Sequence, residues 1–310
     1  MSEQGGEVPA GDVLDAHLHL WDLGTGDYAW NTPSLGRAHA SFGAAEAGAT
    51  LASAGVRQVL LVQAADTEGD SVRVFAAAAE QPWVAGVVAW VPLDDPRRAG
   101  ALLDRWAATG LLRGVRMLLH DHPDPDLLDA PDVRVTLAEV AARGLPLDVP
   151  DAWPRLWPAT TRLVESTPGL VVVLDHLGKP RLELGTRSPA SDELFRAWER
   201  DLRRLGEHPS VVAKLSGLDA ALAPGTVPDA RSFAPLVDAA LAAFGPDRLM
   251  FGGDWPVSLQ HTSYADLVDA VRTALRGLGA DERSAVLGGT ARRVYLDRST
   301  EAGGRRHAQG

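Results

Sequence analysis

The sequence predicts an α/β fold, a (β/α)8 TIM barrel, from three observations. Eight short apolar runs alternate along the 310 residues with longer segments whose apolar positions recur at helical spacing. Several runs, such as residues 170–174, are continuously apolar, which is typical of parallel strands buried on both faces. Eight strand–helix units in a chain of this length fit one barrel, and an open doubly wound sheet is the alternative.

The predicted elements follow one another in strict alternation. The strands are expected at residues 13–17, 57–63, 84–91, 114–119, 145–149, 170–176, 211–216 and 249–254. The helices are expected at residues 44–54, 71–80, 99–109, 133–143, 155–166, 192–205, 233–244 and 264–275. No Gly-x-Gly-x-x-Gly motif follows a predicted strand, which argues against a dinucleotide-binding sheet. We expect one domain over residues 1–310, with a barrel core at about 12–297 and frayed tails.

The composition excludes several classes of protein. A net charge of −11 argues against nucleic acid as a partner, and the absence of cysteine excludes disulfides and thiolate chemistry. No apolar run approaches the about 20 residues that a membrane helix needs, and residues 1–11 lack a signal-peptide pattern. We expect a soluble cytoplasmic protein that acts on a small molecule. An apolar helix stripe has the same pattern on a barrel or against a second subunit, so the oligomeric state is not predicted.

Two loops are longer than an ordinary connection in an α/β fold. Residues 21–42 follow the first predicted strand, and residues 178–190 follow the sixth. Loops at the carboxyl ends of barrel strands build the active site, so both are candidate lids.

Two histidines and two later residues form the main candidate site. His17 and His19 are separated by one residue, so on a strand both side chains point to the same face. His176 and Asp254 end the sixth and eighth predicted strands, and parallel strands bring these ends to one mouth. Imidazole is a frequent metal ligand and general acid or base. The alternatives are a histidine satisfied in the core and a carboxylate that caps the next helix.

Further polar and aromatic residues are candidates for substrate contact. Arg116 lies inside an apolar strand, where it either pairs with a structural carboxylate or binds an anionic or hydroxyl-rich substrate. Lys214, on the seventh predicted strand, likewise either forms a buried ion pair or contacts the substrate. His120 and His122 precede a proline-rich turn, and exposed loop histidines are the alternative there. The remaining candidate substrate contacts are Trp21, Trp90, Lys179 and Trp255.

Five motifs in this chain resemble one known family. They are Asp15-Ala-His17-Leu-His19, Arg113-Gly-Val-Arg116, Asp175-His176-Leu-Gly-Lys-Pro180, Lys214-Leu-Ser-Gly217 and Phe251-Gly-Gly-Asp254-Trp-Pro-Val257. They run in the family's order and resemble the amidohydrolase-2 branch of the amidohydrolase superfamily. More narrowly, they resemble its sugar lactonases, the L-fuconolactonase and L-rhamnonolactonase-like proteins, with pyrone-dicarboxylate lactonase as a relative.

The resemblance implies a barrel of the metal-dependent-hydrolase type that opens a lactone with water. It implies that Asp254 activates the water and that Arg116 contacts a substrate carboxylate or hydroxyl. One divalent ion, Zn²⁺ or Mn²⁺, would be held by His17, His19, Asp254 and His176. A carboxylate that ligates a metal is a weaker base, so the two roles of Asp254 compete. The metal-independent alternative has the histidines, His176 among them, and Arg116 polarise the carbonyl directly.

The chain departs from the family pattern in two places. Binuclear members use a bridging lysine or glutamate on strand four and a histidine on strand five, whereas strand five here ends in Asp148-Val149-Pro150. We therefore expect no two-metal site. His122 replaces a common acidic residue, and residues 149–153 are altered, so the sugar is not identified by the sequence.

Two other functions compete with a lactonase. A metal-dependent decarboxylase of an aromatic acid, or another ester or amide hydrolase, would use the same histidines and aspartate. The motifs that begin at Asp175 and Lys214 favour the lactonase. A non-enzymatic sugar-binding or scaffold protein is the other alternative, and the retained Asp254 argues against it.

Overall fold

The computed structural model of the protein describes residues 13–150, 153–186 and 188–297, and of Asp121 only the backbone. The predictions for the amino-terminal segment, for the frayed tails and for the altered residues 151–152 lie outside the described residues.

Eight parallel strands form one sheet in the order β1 to β8, which confirms the predicted TIM barrel. Each strand pairs with the next along the chain, and the intervening helices cover the outside of the sheet. The strands are β1 Leu14–Leu18, β2 Gln58–Val62, β3 Val84–Ala89, β4 Leu112–Arg116, β5 Leu147–Val149, β6 Val172–Leu174, β7 Val211–Leu215 and β8 Leu249–Phe251.

A helix follows each strand, as the periodicity predicts. The helices are α1 Ala44–Ser53, α2 Glu68–Glu80, α3 Pro96–Ala107, α4 Pro131–Ala142, α5 Trp157–Ser166, α6 Pro189–Gly206, α7 Ala230–Phe244, α8 Tyr264–Ala274 and α9 Ala280–Ser284. The last helix continues through the π-helical turns Ala285–Gly289 and Arg292–Leu296. Helix α2 begins earlier than predicted because Thr67 caps it, and α3 and α6 do so because Asp95 and Ser188 cap them ahead of a first-turn proline.

The barrel closes between its last strand and its first. The Asp254 N–H donates to the His17 carbonyl at 2.8 Å, and the His19 N–H donates to the Trp255 carbonyl at 2.8 Å. Closure removes the exposed sheet edge that an open sheet would present. It also fixes the backbones of three site residues against one another.

The interior of the barrel is apolar at its amino-terminal end. Leu14, which begins β1, and Val171, which precedes β6, belong to this layer together with Val294 and Tyr295 of the last helical turn. The C-terminal segment therefore fills the end of the barrel where the strands begin. Polar side chains occupy the other end, where the strands finish.

Six strands end earlier than predicted, and for β6 and β8 the reason is backbone conformation. The chain is left-handed after β6, with φ of 55° at His176, 52° at Leu177 and 47° at Lys179. Asp254 likewise has a φ of 49°. The predictions that His176 and Asp254 belong to strands were wrong, because both lie on the turns that follow. Strand β4 similarly ends at Arg116 rather than at residue 119.

Within the described part of the chain, no helix combines the length and the apolar character needed to cross a membrane.

Candidate active site

A cavity of about 930 Å³ opens at the carboxyl ends of the strands. Both long loops reach it, since Trp30 and Leu35 come from the first loop and Arg181 and Glu183 from the second. Its lining also includes most of the candidate site, namely His19, Arg116, His120, His176, Lys179 and Asp254.

Asp15 organises the chain around the histidine pair. Its buried carboxylate accepts the His17 N–H at 2.8 Å, the Gly253 N–H at 2.9 Å and the Tyr264 hydroxyl at 2.7 Å. Burial nevertheless raises the pKa of Asp15 to about 6. Asp15 therefore joins β1, the turn after β8 and helix α8, and it is a structural residue rather than a cavity residue.

Three imidazoles converge on one oxygen of Asp254. The Oδ1 atom lies 3.5 Å from His19 Nε2 and 3.8 Å from the Nε2 atoms of both His17 and His176. The His17 and His19 Nε2 atoms are 3.1 Å apart. All four residues are at most 4% exposed. The structure thus brings together the four residues that the sequence singles out.

The outer nitrogen of each imidazole has its own partner, which directs Nε2 toward Asp254. His19 Nδ1 donates to the Val62 carbonyl at 2.9 Å, and His176 Nδ1 lies 2.8 Å from Ser216 Oγ. Burial lowers the pKa of His17 well below its usual range, so this imidazole is neutral. Neutral imidazoles with oriented outer nitrogens are what a metal ion requires of histidine ligands.

Asp254 is ionised despite its burial. Burial opposes the charge, yet His176 and Lys179 hold the pKa of Asp254 well below its usual range. The Lys179 Nζ atom lies 3.7 Å from the other carboxylate oxygen, Oδ2. Asp254 can therefore accept a proton across the neutral pH range.

An ionic layer lies beneath the imidazoles. Arg116 Nε donates to Asp175 Oδ2 at 2.7 Å, and Lys214 Nζ lies 2.6 Å from Asp148 Oδ2 and 3.0 Å from Asp175 Oδ1. Although burial opposes its ionisation, Asp175 has a pKa well below its usual range because of the positive charges of Lys214 and Arg116. Arg116 thus pairs with a buried carboxylate and also lines the cavity, and its contact with a substrate stays a prediction.

The other predicted substrate contacts divide into two groups. His120 and Lys179 line the cavity. Among the described residues that line it, Trp21, Trp90, His122 and Trp255 do not appear. Trp21 packs behind His19 with ring centroids 6.2 Å apart, and Trp255 packs on Phe42 at 5.1 Å. Trp90 accepts at its carbonyl from the Trp106 indole, and His122 lies in the loop after β4.

His261 and Asp219 are among the polar residues of the site that the sequence analysis did not predict. His261 lines the cavity, and its Nε2 atom lies 3.8 Å from Oδ2 of the buried Asp219. Burial and the neighbouring Asp254 raise the pKa of Asp219. Both residues lie between a barrel strand and the next helix, Asp219 after β7 and His261 after β8, and that position was the available signal.

The donor atoms suit a divalent metal ion. Two groups of three residues have ligand atoms within 4.8 Å of one another, an outer group of His17, His19 and Asp254 and an inner group of His17, Asp175 and His176. Imidazole nitrogen and carboxylate oxygen are ligands that Zn²⁺ and Mn²⁺ accept. The outer group borders the cavity through His19 and Asp254.

The fold and the site define a barrel hydrolase with a histidine–aspartate centre at the strand ends. The family model described as Amidohydrolase matches residues 14–296, so the chain belongs to the amidohydrolase family. The protein is therefore a hydrolase of that family, as the resemblance of its motifs predicts.

Two relatives carry the same name. The chain is 33% identical over 304 residues to an L-fucono-1,5-lactonase of Burkholderia ambifaria, covering 96% of this chain and 99% of that protein. It is 34% identical over 296 residues to an L-fucono-1,5-lactonase of Burkholderia multivorans, covering 91% and 95%.

Solved structures agree with the barrel. An amidohydrolase from Burkholderia multivorans with bound Zn has a TM-score of 0.82 and 32% identity, covering 91% of this chain and 98% of that one. The 5-carboxyvanillate decarboxylase of Sphingomonas paucimobilis has a TM-score of 0.61 at 17% identity, so that likeness concerns the fold alone.

Proposed function

We propose that the protein hydrolyses a sugar lactone, an aldonolactone, with Asp254 as the general base. The observation that carries the proposal is the Asp254 carboxylate, ionised and surrounded by three imidazoles at the wall of the cavity. The two related L-fucono-1,5-lactonases, which match nearly the whole chain, support the choice of substrate.

The reaction begins with a water molecule beside Asp254. The carboxylate takes a proton from the water as its oxygen bonds to the lactone carbonyl carbon. The negative charge that develops on the carbonyl oxygen faces a positive wall, where Arg116 and Lys179 line the cavity. The bond between the carbonyl carbon and the ring oxygen then breaks. Asp254 returns its proton to that oxygen, and the product is the open-chain hydroxy acid.

The outer group of His17, His19 and Asp254, with His176 beside it, would hold one divalent ion, Zn²⁺ or Mn²⁺. When bound, such an ion supplies Lewis-acid polarisation of the carbonyl oxygen. The protein residues orient the site whether or not the ion is required. Val62 and Ser216 fix the rings of His19 and His176, and Asp15 fixes the backbone of His17. A metal-independent reaction would draw its polarisation from the imidazoles and from Arg116.

The test is a pH-indicator assay of acid release from a panel of aldonolactones, with metal analysis of the same preparation. Wild-type protein is expected to open at least one lactone, and Asp254→Asn to lose about 10²- to 10⁴-fold in turnover. Glu183→Gln removes another cavity carboxylate and is the matched control, with turnover retained. Full turnover after metal removal in the presence of chelator would contradict a metal requirement.

Two results would overturn the proposal. Asp254→Asn with unchanged turnover would remove the assigned base. Release of CO₂ from an aromatic acid, with no acid release from any lactone in Zn²⁺- or Mn²⁺-supplied protein, would assign the site to decarboxylation.

A further inference from the structure

Lys214 is a fully buried lysine whose ammonium lies directly under the imidazoles. Its Nζ atom is 2.6 Å from Asp148 Oδ2, 3.0 Å from Asp175 Oδ1 and 3.0 Å from His17 Nδ1. Two carboxylate oxygens of opposite charge and the edge of the His17 ring surround this ammonium group. The side chain therefore extends along the barrel interior to fill a preformed three-point cradle.

The atoms of this cradle are also metal ligands. Two carboxylate oxygens and an imidazole nitrogen form a set that divalent transition metals bind readily. Such ions sit about 2.0–2.2 Å from nitrogen and oxygen ligands. An ion on Asp175 Oδ1 and His17 Nδ1 would compete with Lys214 Nζ for the same two atoms. The cradle can hold an ammonium or a metal ion, but not both.

The Lys214 contacts also block metal binding to the inner ligand group. Its members are His17, Asp175 and His176, and Lys214 already contacts the first two. The second oxygen of Asp175 accepts from Arg116 Nε at 2.7 Å. A divalent ion in the inner group would thus lie against two fixed positive charges. The outer group has a different environment, because its Asp254 contacts the imidazoles and Lys179 at 3.5 Å or more.

We propose that the Lys214 ammonium is the resident cation of the inner position and limits the centre to one metal ion. Asp148 strengthens the assignment, since its second oxygen accepts the Tyr295 hydroxyl at 2.7 Å and its first is left to Lys214. The Tyr295 ring also lies 5.5 Å from Nζ, a distance at which an aromatic face attracts a cation. The whole surrounding of Nζ is therefore built for a positive charge.

This inference deepens the proposed function and rests on it for the role of the outer group. A centre with one ion leaves the deprotonation of water to a protein base, and Asp254 is the carboxylate of the outer group, which borders the cavity. Lys214 itself is a positioning residue, because its contacts are with Asp148, Asp175 and His17 rather than with the cavity.

The test counts zinc ions bound per chain, which does not depend on turnover. Wild-type protein and Lys214→Ala are equilibrated with Zn²⁺, desalted and analysed by elemental mass spectrometry. Removing the ammonium vacates the cradle, so Lys214→Ala is expected to bind one zinc more than wild type. Lys214→Ala combined with Asp148→Asn loses a cradle ligand and is expected to return to the wild-type count. An unchanged count in folded Lys214→Ala overturns the inference.

A second measurement covers the case in which Lys214→Ala does not fold. Wild-type protein is titrated with Zn²⁺ and followed by calorimetry. Saturation with no more than one tight ion per chain supports the inference, and two tight ions overturn it. The lactone assay on wild-type protein tests the proposed function separately, so either can fail without the other.

Discussion

Gly217 shows how one residue without a side chain determines the position of a histidine. It follows β7 with a φ of 55°, and a Cβ atom there would lie 3.0 Å from the ring of His176. The Nδ1 atom of that ring lies 2.8 Å from Ser216 Oγ, so a displacement of the ring would disturb this hydrogen bond. The close approach and the left-handed conformation both select glycine.

Gly217→Ala is therefore expected to displace the His176 ring and to lower kcat/KM by about 100-fold, the cost of a misplacement of about 1 Å in an active site. Gly144→Ala is the matched control, because Gly144 has a φ of 70° with no atom within 4 Å of the added Cβ. It should lose similar stability and keep its activity. Equal activity of the two variants in the lactone assay would contradict this account.

Lys179 is the residue by which the second long loop acts on Asp254. Lys179→Met removes the charge 3.7 Å from Asp254 Oδ2, and we expect kcat to fall about 10²-fold, as for the loss of one transition-state donor. Arg181→Met removes another positive charge from the cavity wall without touching Asp254 and should leave kcat within a few-fold. Steady-state kinetics on both variants, with kcat and KM resolved, makes the comparison. A rise in KM alone for Lys179→Met would indicate a binding contact only.

The residues of the site were predictable to different degrees. His17 and His19 follow from strand periodicity, since alternate side chains share a face. His176 and Asp254 follow from the rule that parallel strands end at one mouth. The Lys214 cradle joins side chains from β1, β5, β7 and the turn after β6, and no spacing along the chain encodes such a contact. His261 and Asp219 lie on loops, where sequence carries no periodic signal.

At the scale of elements, the left-handed turn after β6 is a feature that the apolar pattern of the sequence does not predict. The apolar run at residues 170–174 predicts a strand correctly, but it cannot indicate where φ changes sign. Three non-glycine residues there are left-handed, a conformation that costs about 1–3 kcal/mol each and that the surrounding structure must hold in place. The turn places both His176 and Lys179 on the cavity wall. Strain and function coincide in this segment.

Helix α8 is joined to β1 through the Tyr264 hydroxyl, which donates to Asp15 Oδ2 at 2.7 Å. Tyr264→Phe is expected to destabilise the protein by about 1.5–3 kcal/mol at pH 8, where Asp15 is charged. At pH 5 most Asp15 is protonated, because its folded pKa is about 6, and the loss should shrink to about 1 kcal/mol. Urea unfolding at both pH values measures the difference.

The sign follows from proton linkage. The folded pKa of Asp15 lies above its unfolded value, so Asp15 contributes most stability at low pH and loses it as the pH rises through 6. The Tyr264 hydrogen bond lowers the folded pKa of Asp15. As the pH rises, the free energy of unfolding therefore falls less in the wild type than in Tyr264→Phe. A loss in Tyr264→Phe that is the same at pH 5 and pH 8 would show that Asp15 does not titrate in this range.

At the scale of the whole molecule, the C-terminal segment completes the barrel that eight repeats begin. Tyr295 is 2% exposed, packs into the interior layer and donates to Asp148. Tyr295→Ala is expected to cost about 3–5 kcal/mol, as for other large core truncations. Tyr295→Phe keeps the ring and should cost about 1.5–3 kcal/mol, the value of a hydrogen bond to a charged group. Thermal unfolding measures the stability of both variants. A larger loss in Tyr295→Phe than in Tyr295→Ala would contradict the packing role of the ring.

The barrel as a whole was more predictable than its details. All eight strands and the eight helices that follow them were located because burial on two faces and helical periodicity leave separate patterns in the sequence. The packing of residues 291–295 into the barrel interior was not predicted, because the apolar residues of this segment do not indicate which end of a barrel they fill.

The closure of the barrel has a consequence for how the enzyme comes into being. The backbone bonds that join the turn after β8 to β1 are made by His17, His19 and Asp254 themselves. Residue 254 leaves the ribosome more than two hundred residues after the histidine pair, so every nascent chain shorter than that has imidazoles without a base. On the proposed mechanism, we expect a chain that ends before residue 254 to be inactive, and we expect activity to appear during refolding when the two ends of the sheet meet.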